Sequence, residues 1–170
     1  VPEKGLEDLI NAISILNSNK VNVSLRIAGN FNSRESQKPN EYHISIDNQI
    51  KELGLQDCIH FDGFVSPLES WFSEIDLLIV PSTCQDAQPL VMMQAMSTGT
   101  PVIGTRVGGI PEILVGDFKE FIALPNNPSS LAEKINLFIS NPSRLCMLGE
   151  QMYKHVHSKY NMRTHFSTLK

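Results

Sequence analysis

The segment that most constrains the fold is the run Asp76–Val80, which is apolar after its first residue and is followed by Pro81-Ser82. A short apolar run that ends at such breakers is typical of a strand covered on both faces. Strands of that kind belong to parallel sheets that lie between two layers of helices. The run therefore predicts a buried parallel strand at residues 76–80.

Strand-like and helix-like segments alternate along the rest of the 170 residues. The spacing predicts strands at 23–28, 58–61, 76–80, 101–105 and 121–124, and helices at 4–16, 43–53, 67–73, 89–98, from 110, 129–140 and 142–160. Helices of about ten residues between strands imply right-handed crossovers and parallel pairing. We therefore predict one α/β domain over residues 1–170, with a doubly wound, mostly parallel sheet flanked by helices.

Composition narrows the functional classes. The net charge of −4, with scattered Lys and Arg, gives no electrostatic footprint for nucleic acid or an anionic membrane. Three cysteines without metal-type spacing favour a reducing compartment, with the cytoplasm as the default. No apolar run approaches the length of a membrane span, and no signal peptide is recognised. Because the chain begins at Val1, it is interpreted as a piece of something longer.

Ligands of doubly wound sheets bind beyond the carboxyl ends of the strands. The segments there include Gly29, the stretch 63–65, the stretch 82–89 and the turn 106–109. The helix that starts near Pro89 offers free N–H groups at Leu90 and Val91, which suits a phosphate. Most parallel α/β domains have such a helix end, however, and Gln94 on that helix can equally line a solvated stripe.

The order of six sequence blocks adds a resemblance. EKG before an amphipathic helix is followed by LRIAGN, FDGFV, DLLIVPS, QAMSTGTPVI and VGGIPEI. In this order and spacing, they resemble the nucleotide-sugar domain of the retaining glycosyltransferases of family four, which have the two-domain GT-B fold. The resemblance covers nearly the whole chain. It implies a Rossmann-like fold, the C-terminal half of GT-B.

The resemblance assigns roles to particular residues. Family members have a Glu beside the donor sugar and a second Glu, eight residues later, at the ribose hydroxyls; Asp86 and Gln94 occupy these places here. Lys4 matches a lysine that neutralises the leaving diphosphate, so Lys4 and Asp86 are the catalytic candidates. The implied donor-binding residues are Gly29, Val65, Ala87, Gln88, Leu90, Val91 and Gln94. Gln94 keeps a hydrogen-bonding group without the charge, which should weaken ribose binding about tenfold.

The function implied by the resemblance is retaining transfer of a sugar from a UDP-sugar or GDP-sugar to a glycan or lipid-linked acceptor. Donor binding is expected to need no metal or other cofactor. The expected partners are the nucleotide sugar, the acceptor and an N-terminal domain that is missing here, so this piece alone is expected to be inactive. The full-length protein is expected in the cytoplasm or at the inner face of the membrane. The alternative is a degenerate nucleotide-binding or scaffolding domain, which the departures at Asp86 and Gln94 would suit.

Family members also begin this domain with a central strand ahead of the EKG block. Without it, the strands near 23–28 and 76–80 would flank an empty place in the sheet. Three alternatives remain open: upstream residues fill the place, a neighbouring chain lends a strand, or the two flanking strands close up and pair directly. The first is favoured, because Val1-Pro2 resembles the end of a longer β segment.

Overall fold

The computed structural model describes residues 2–29, 41–84 and 90–159. The strands are β1 Leu25–Ala28, β2 Ile59–Gly63, β3 Leu78–Val80, β4 Val102–Thr105 and β5 Ile122–Ala123. The α-helices are α1 Leu6–Ser18, α2 Glu41–Glu52, α3 Leu68–Phe72, α4 Leu90–Ser97, α5 Ile110–Ile113, α6 Pro128–Ile139 and α7 Pro142–Lys159. Two short 3-10 helices span Pro2–Lys4 and Gly116–Phe121.

All described strand pairs are parallel. Leu25 of β1 is in register with Ile59 of β2, while β4 lies between β3 and β5. Helices separate the strands along the chain, so the predicted fold class, a parallel sheet flanked by helices, is confirmed. Because parallel strands point the same way, their carboxyl ends gather at one edge, called the carboxyl edge below.

The predicted boundaries differ from the observed ones mainly at element ends. The first helix was expected from residue 4, but residues 2–4 form a 3-10 turn and Gly5, at φ 68°, separates it from α1. The strand expected at 121–124 is reduced to Ile122–Ala123, because a 3-10 helix that the pattern did not reveal runs up to Phe121. The remaining ends coincide with the predicted ones or differ by one or two residues.

The core confirms the prediction that the first helix is amphipathic. Its apolar stripe of Leu6, Leu9, Ile10, Ile13 and Leu16 is buried. Helix α1 packs along α6, whose start is fixed by Pro128 in the first turn and by the Asn127 side chain, which accepts a hydrogen bond of 2.9 Å from the Ser130 amide. Such a cap satisfies an amide that the helix itself cannot pair.

The described sheet is in two parts. Strands β1 and β2 form one, and β3, β4 and β5 form the other. Across residues 2–29, 41–84 and 90–159, β1 and β3 form no ladder with each other, so the alternative in which these flanking strands pair directly is wrong. The space between them is called the slot below. A buried backbone group that stayed unpaired there would cost about 1–3 kcal/mol.

Helices α4 and α7 cross at two glycines. A Cβ added to the buried Gly149 of α7 would overlap the Gly99 carbonyl oxygen at the end of α4.

Gly149→Ala is therefore expected to lower the free energy of unfolding by about 1–3 kcal/mol, although glycine-to-alanine changes inside helices usually stabilise. Urea unfolding measures this. The exposed change Gln151→Ala on the same helix should stay within about 0.5 kcal/mol, and a stabilised Gly149→Ala protein would contradict the close crossing.

His155 of α7 should make stability depend on pH. Its ring packs edge-on against Phe118, and its buried Nε2 has no hydrogen-bond partner among the residues that the structure describes. Burial, followed by the charge of Lys159, lowers its pKa. The unfolded chain therefore takes up this proton at a higher pH, near the ordinary value of about 6.5, than the folded chain does. This contribution to stability is present above pH about 6.5 and is lost as the pH falls through the lowered folded-state pKa.

We expect His155→Gln to flatten the loss of unfolding free energy between pH about 7.5 and 5.5, measured by urea titration at each pH. The exposed His157→Gln variant on the same helix is the control and should keep the parent profile. A His155→Gln profile identical to the parent would show that this imidazole does not carry the acid sensitivity.

Candidate functional site

A cavity of about 1240 Å³ opens at the carboxyl edge and continues down the slot between β1 and β3. Five of the residues that the sequence singled out line it: Lys4, Gly29, Val65, Leu90 and Val91. They come from four separate places in the chain, which the parallel sheet brings together. Part of this volume belongs to the slot, whose bordering strands also line it.

Lys4 is placed by a tight contact between the first turn and the end of β3. The Thr83 amide donates a hydrogen bond of 2.9 Å to the Glu3 carbonyl, and the Thr83 hydroxyl donates to the same oxygen at 3.2 Å. A Cβ on Gly5 would overlap the Pro81 carbonyl oxygen, and Gly5 has a positive φ. Glycine is therefore required after Lys4, whose exposed side chain lines the cavity.

Helix α4 presents its start to the cavity. Leu90 is exposed, Val91 is half-buried, and both line the space. Free N–H groups at a helix start and the positive end of the helix dipole favour an anionic group. Gln94 is exposed and is not among the lining residues, but its spacing from Leu90 and Val91 puts it on the same face of the helix, one turn further from the start.

Asp86, Ala87 and Gln88 lie outside the described residues. Their predicted roles beside the donor sugar and at the helix start therefore remain predictions. The described chain resumes at Leu90, directly after them.

The loop that carries Val65 is anchored by Asp62. Its Oδ2 atom accepts hydrogen bonds from Arg26 Nε at 2.8 Å and from Trp71 Nε1 at 2.6 Å. Arg26 also donates to Glu74 at 2.8 Å, and its guanidinium lies over the Trp71 ring at 5.8 Å from the ring centre. This network ties β1, β2 and α3 together directly beneath the loop, so the position of Val65 is fixed from below.

Two further lining residues lie in the stretches 63–65 and 82–89, which the sequence analysis pointed to without giving either residue a role. Phe64 is 83% exposed, an unusual state for an aromatic side chain, and it lies at the cavity beside Val65. Ser82 is 2% exposed, and its hydroxyl has no hydrogen-bond partner within the part of the chain that the structure describes. Its carbonyl accepts a bond from the Thr105 hydroxyl, which holds the end of β3 to β4. The strand-terminal position of both residues was the available signal.

Tyr42 lines the cavity from α2. Its hydroxyl donates a hydrogen bond of 2.7 Å to Glu7 Oε2. Burial, followed by this bond to a carboxylate, raises the pKa of Tyr42 far above its usual value. The phenol is therefore a neutral donor at physiological pH, and it fixes α2 against α1.

Neither a metal cluster nor a membrane-spanning helix is found where the structure describes the chain. Residues 2–29, 41–84 and 90–159 contain no group of three or more His, Cys, Asp or Glu placed to hold a metal ion. In the same ranges, no helix has the length and apolarity needed to cross a bilayer. Donor binding without a metal remains a prediction.

Comparison with known proteins places these features in a family. The chain is 30% identical over 164 residues to the lipopolysaccharide 1,2-N-acetylglucosaminetransferase of Salmonella typhimurium, covering 94% of this chain and 42% of that protein. The chain spans about two fifths of the length of the curated relatives it matches.

Solved structures show the same fold. Anabaena HepE in complex with UDP superposes with a TM-score of 0.84 at 23% identity, over 96% of this chain and 43% of HepE. The C-terminal domain of the group 1 glycosyl transferase LpcC from Francisella tularensis gives 0.81 at 23% identity, over 95% of this chain and 82% of that domain. The match to LpcC is to a C-terminal domain, in agreement with the predicted half of GT-B.

The family model described as "Glycosyl transferases group 1" matches residues 1–155. That match covers the elements from the first turn through most of α7, including every described residue placed at the cavity. The chain therefore belongs to the group 1 glycosyl transferases.

Proposed function

We propose that this chain is the donor-binding domain of a retaining glycosyltransferase, which takes a nucleoside-diphosphate sugar and, in the full-length protein, transfers the sugar to a glycan or lipid-linked acceptor. The observation that carries the proposal is the meeting of Lys4, Gly29, Val65 and the start of α4 at one cavity of a family member. HepE, which shares the fold, was solved with UDP. The Salmonella relative is named for transfer of N-acetylglucosamine in lipopolysaccharide.

The chemistry follows from charge. In retaining transfer, the bond between the sugar C1 and the diphosphate oxygen breaks, and the acceptor oxygen bonds to C1 on the same face while its proton leaves with the departing diphosphate. Negative charge therefore grows on the diphosphate. Lys4 and the N–H groups near Leu90 and Val91 would stabilise that charge, because fixed donors at a developing anion lower the barrier. Asp86 would lie beside the sugar.

The nucleoside would occupy the neighbouring part of the cavity. Gly29, at φ 150°, has no side chain to obstruct the backbone there, and the loop at Val65 would pack on the base. Gln94 would accept a hydrogen bond from a ribose hydroxyl. An N-terminal domain would supply the acceptor site, and its absence would leave residues 1–170 able to bind a donor without turning it over.

The cytoplasm, or the inner face of a membrane, is the proposed place of action. Cys58, Cys84 and Cys146 are all free thiols. Free thiols are the usual state in a reducing compartment. The lipopolysaccharide relative supports an acceptor of the glycan or lipid-linked class.

The second candidate is a binding domain that has lost catalysis. It is favoured by one observation, the replacement of both expected Glu residues by Asp86 and Gln94.

Thermal shift of the full-length protein against UDP-glucose, UDP-N-acetylglucosamine, GDP-mannose and ADP-glucose tests donor binding, because a ligand of the native state raises its stability. Release of nucleoside diphosphate with an acceptor then separates catalysis from binding alone, and no shift with any donor would reject the donor-binding proposal.

Lys4→Gln is expected to weaken binding of the nucleoside diphosphate by about ten- to a hundred-fold. This corresponds to the loss of a charge-assisted hydrogen bond, which contributes about 1.5–3 kcal/mol. Binding of the corresponding nucleoside, which lacks phosphates, should change little. Isothermal calorimetry measures both. Lys51→Gln, an exposed change in α2 away from the cavity, is the control, and equal losses for nucleoside and diphosphate would contradict a phosphate role for Lys4.

Gln94→Glu is expected to tighten nucleotide-sugar binding about tenfold, because a carboxylate accepts a ribose hydroxyl more strongly than an amide does. Gln94→Ala should weaken it. Affinities for the nucleotide sugar and its 2′-deoxyribose analogue check the assignment, since the analogue should respond less. The control is Gln151→Glu, which makes the same charge change at an exposed position of α7. Unchanged affinity in both Gln94 variants would show that Gln94 only lines a solvated stripe of the helix and does not contact the ribose.

A further inference from the structure

The hydroxyl of Ser82 is buried at the wall of the cavity, and it has no hydrogen-bond partner within residues 2–29, 41–84 and 90–159. The whole residue is 2% exposed. Most buried side-chain hydroxyls in folded proteins have a partner, because a hydroxyl without one has lost its bonds to water and gained nothing in return. An unpartnered hydroxyl at a cavity is therefore a candidate contact for the molecule that the cavity binds.

Ser82 lies opposite Lys4. The carbonyl oxygen of the preceding residue, Pro81, is only 1.9 Å from the place that a Cβ on Gly5 would take. The residue that follows Ser82 donates its amide to the Glu3 carbonyl at 2.9 Å. These two contacts lie on either side of Ser82 in one segment and on either side of Lys4 in the other. They therefore hold the two residues level with each other, and both line the cavity.

The start of α4 is also near Ser82. The Ser82 carbonyl accepts a hydrogen bond from the Thr105 hydroxyl at the end of β4. The residue before Thr105 is the buried Gly104, and a Cβ added there would come 3.2 Å from Met92 Cε, in the first turn of α4. Contacts thus connect Ser82, through the end of β4, to the first turn of α4, where Leu90 lines the same cavity.

The surroundings of the hydroxyl favour an anion. Lys4 brings a positive charge, and the start of α4 brings free N–H groups and the positive end of the helix dipole. A serine hydroxyl can donate its proton to an anionic oxygen, and such a bond is stronger than one between two neutral groups. Phosphate oxygens, which only accept, suit a set of three donors of this kind.

The Ser82 hydroxyl can form such a bond without losing another one. Among the described residues, no acceptor holds its proton. Rotation about one side-chain bond moves the hydroxyl between staggered positions, so a small adjustment is enough to turn it toward a ligand in the cavity. Because no bond inside the protein is exchanged for the new one, the new bond contributes its full strength to affinity.

We propose that Ser82 is a third donor of the diphosphate site, and that its hydroxyl donates a hydrogen bond to a phosphate oxygen of the bound nucleoside diphosphate, between Lys4 and the start of α4. This role rests on the proposed function of donor binding. Before the ligand binds, the unpartnered hydroxyl lowers the stability of the protein. Ser82 therefore has two effects of opposite sign: it destabilises the empty site and strengthens the occupied one.

Ser82→Ala in the full-length protein tests the contact by isothermal calorimetry. UDP, GDP and ADP are the probes, and each one that binds the parent is compared with its nucleoside. Loss of one hydrogen bond to a charged group should weaken diphosphate binding about ten- to a hundred-fold, while binding of the nucleoside should change little. Equal losses for diphosphate and nucleoside would place the hydroxyl at the nucleoside and overturn the assignment to phosphate.

The melting temperature of the ligand-free protein separates this role from a structural one. Removal of an unpartnered hydroxyl should leave the melting temperature of Ser82→Ala unchanged or higher. The matched control is Thr100→Val, because the buried Thr100 hydroxyl donates to the Phe72 carbonyl at 3.2 Å and neither residue lines the cavity. This control should melt lower and keep the parent affinity for the diphosphate. A Ser82→Ala protein that also melts lower would show that the hydroxyl already has a structural partner, and this would overturn the proposal.

The affinity of the parent distinguishes failure of this contact from failure of donor binding. A parent protein that binds none of the three nucleoside diphosphates would reject donor binding, and the role of Ser82 with it. A parent that binds one of them, together with a Ser82→Ala variant of equal affinity, would reject the Ser82 contact alone and leave Lys4 and the start of α4 as the diphosphate site.

Discussion

The contact between Gly5 and the Pro81 carbonyl determines how the beginning of the chain meets the sheet. Only a residue without Cβ, and with a positive φ, fits against that carbonyl. The contact sets the start of α1, whose apolar stripe then packs on the core and on α6. It also brings Lys4 to the carboxyl edge. One steric constraint thus determines the start of α1 and the position of the proposed diphosphate contact.

Asp62 has a comparable role on the other side of the cavity. One carboxylate oxygen receives both the Arg26 guanidinium and the Trp71 indole. Loss of the carboxylate would leave a buried indole donor and an arginine without that partner. A buried polar group without a hydrogen-bond partner lowers stability by more than a typical hydrogen bond contributes to it. The network is partly exposed, since the side chains of Arg26 and Asp62 retain 32% and 18% of their accessible surface. Its value is therefore in orienting the loop at Val65 more than in overall stability.

The sequence predicted the features that depend on periodicity. The stripe of α1 and the apolar run at β3 were found because burial imposes a helical repeat in one case and a continuous apolar segment in the other. The 3-10 helix before β5 was missed, since one short turn has no repeat to detect. Ser82 and Phe64 lie in stretches that the strand ends pointed to, but no individual role could be predicted for them, because the exposure of each side chain depends on how distant segments meet. Asp86 and Gln94 obtained their roles from the family resemblance and not from spacing.

The crossing of Gly99 and Gly149 has a mechanical consequence. Backbone meets backbone there, and no side chain lies between that could change rotamer to absorb a displacement. Closely packed interiors transmit strain instead of dissipating it. Helix α7 therefore acts as a stiff strut behind α4: a push on α7, about 27 Å from end to end by its eighteen residues at about 1.5 Å each, would shift α4 as one body with it.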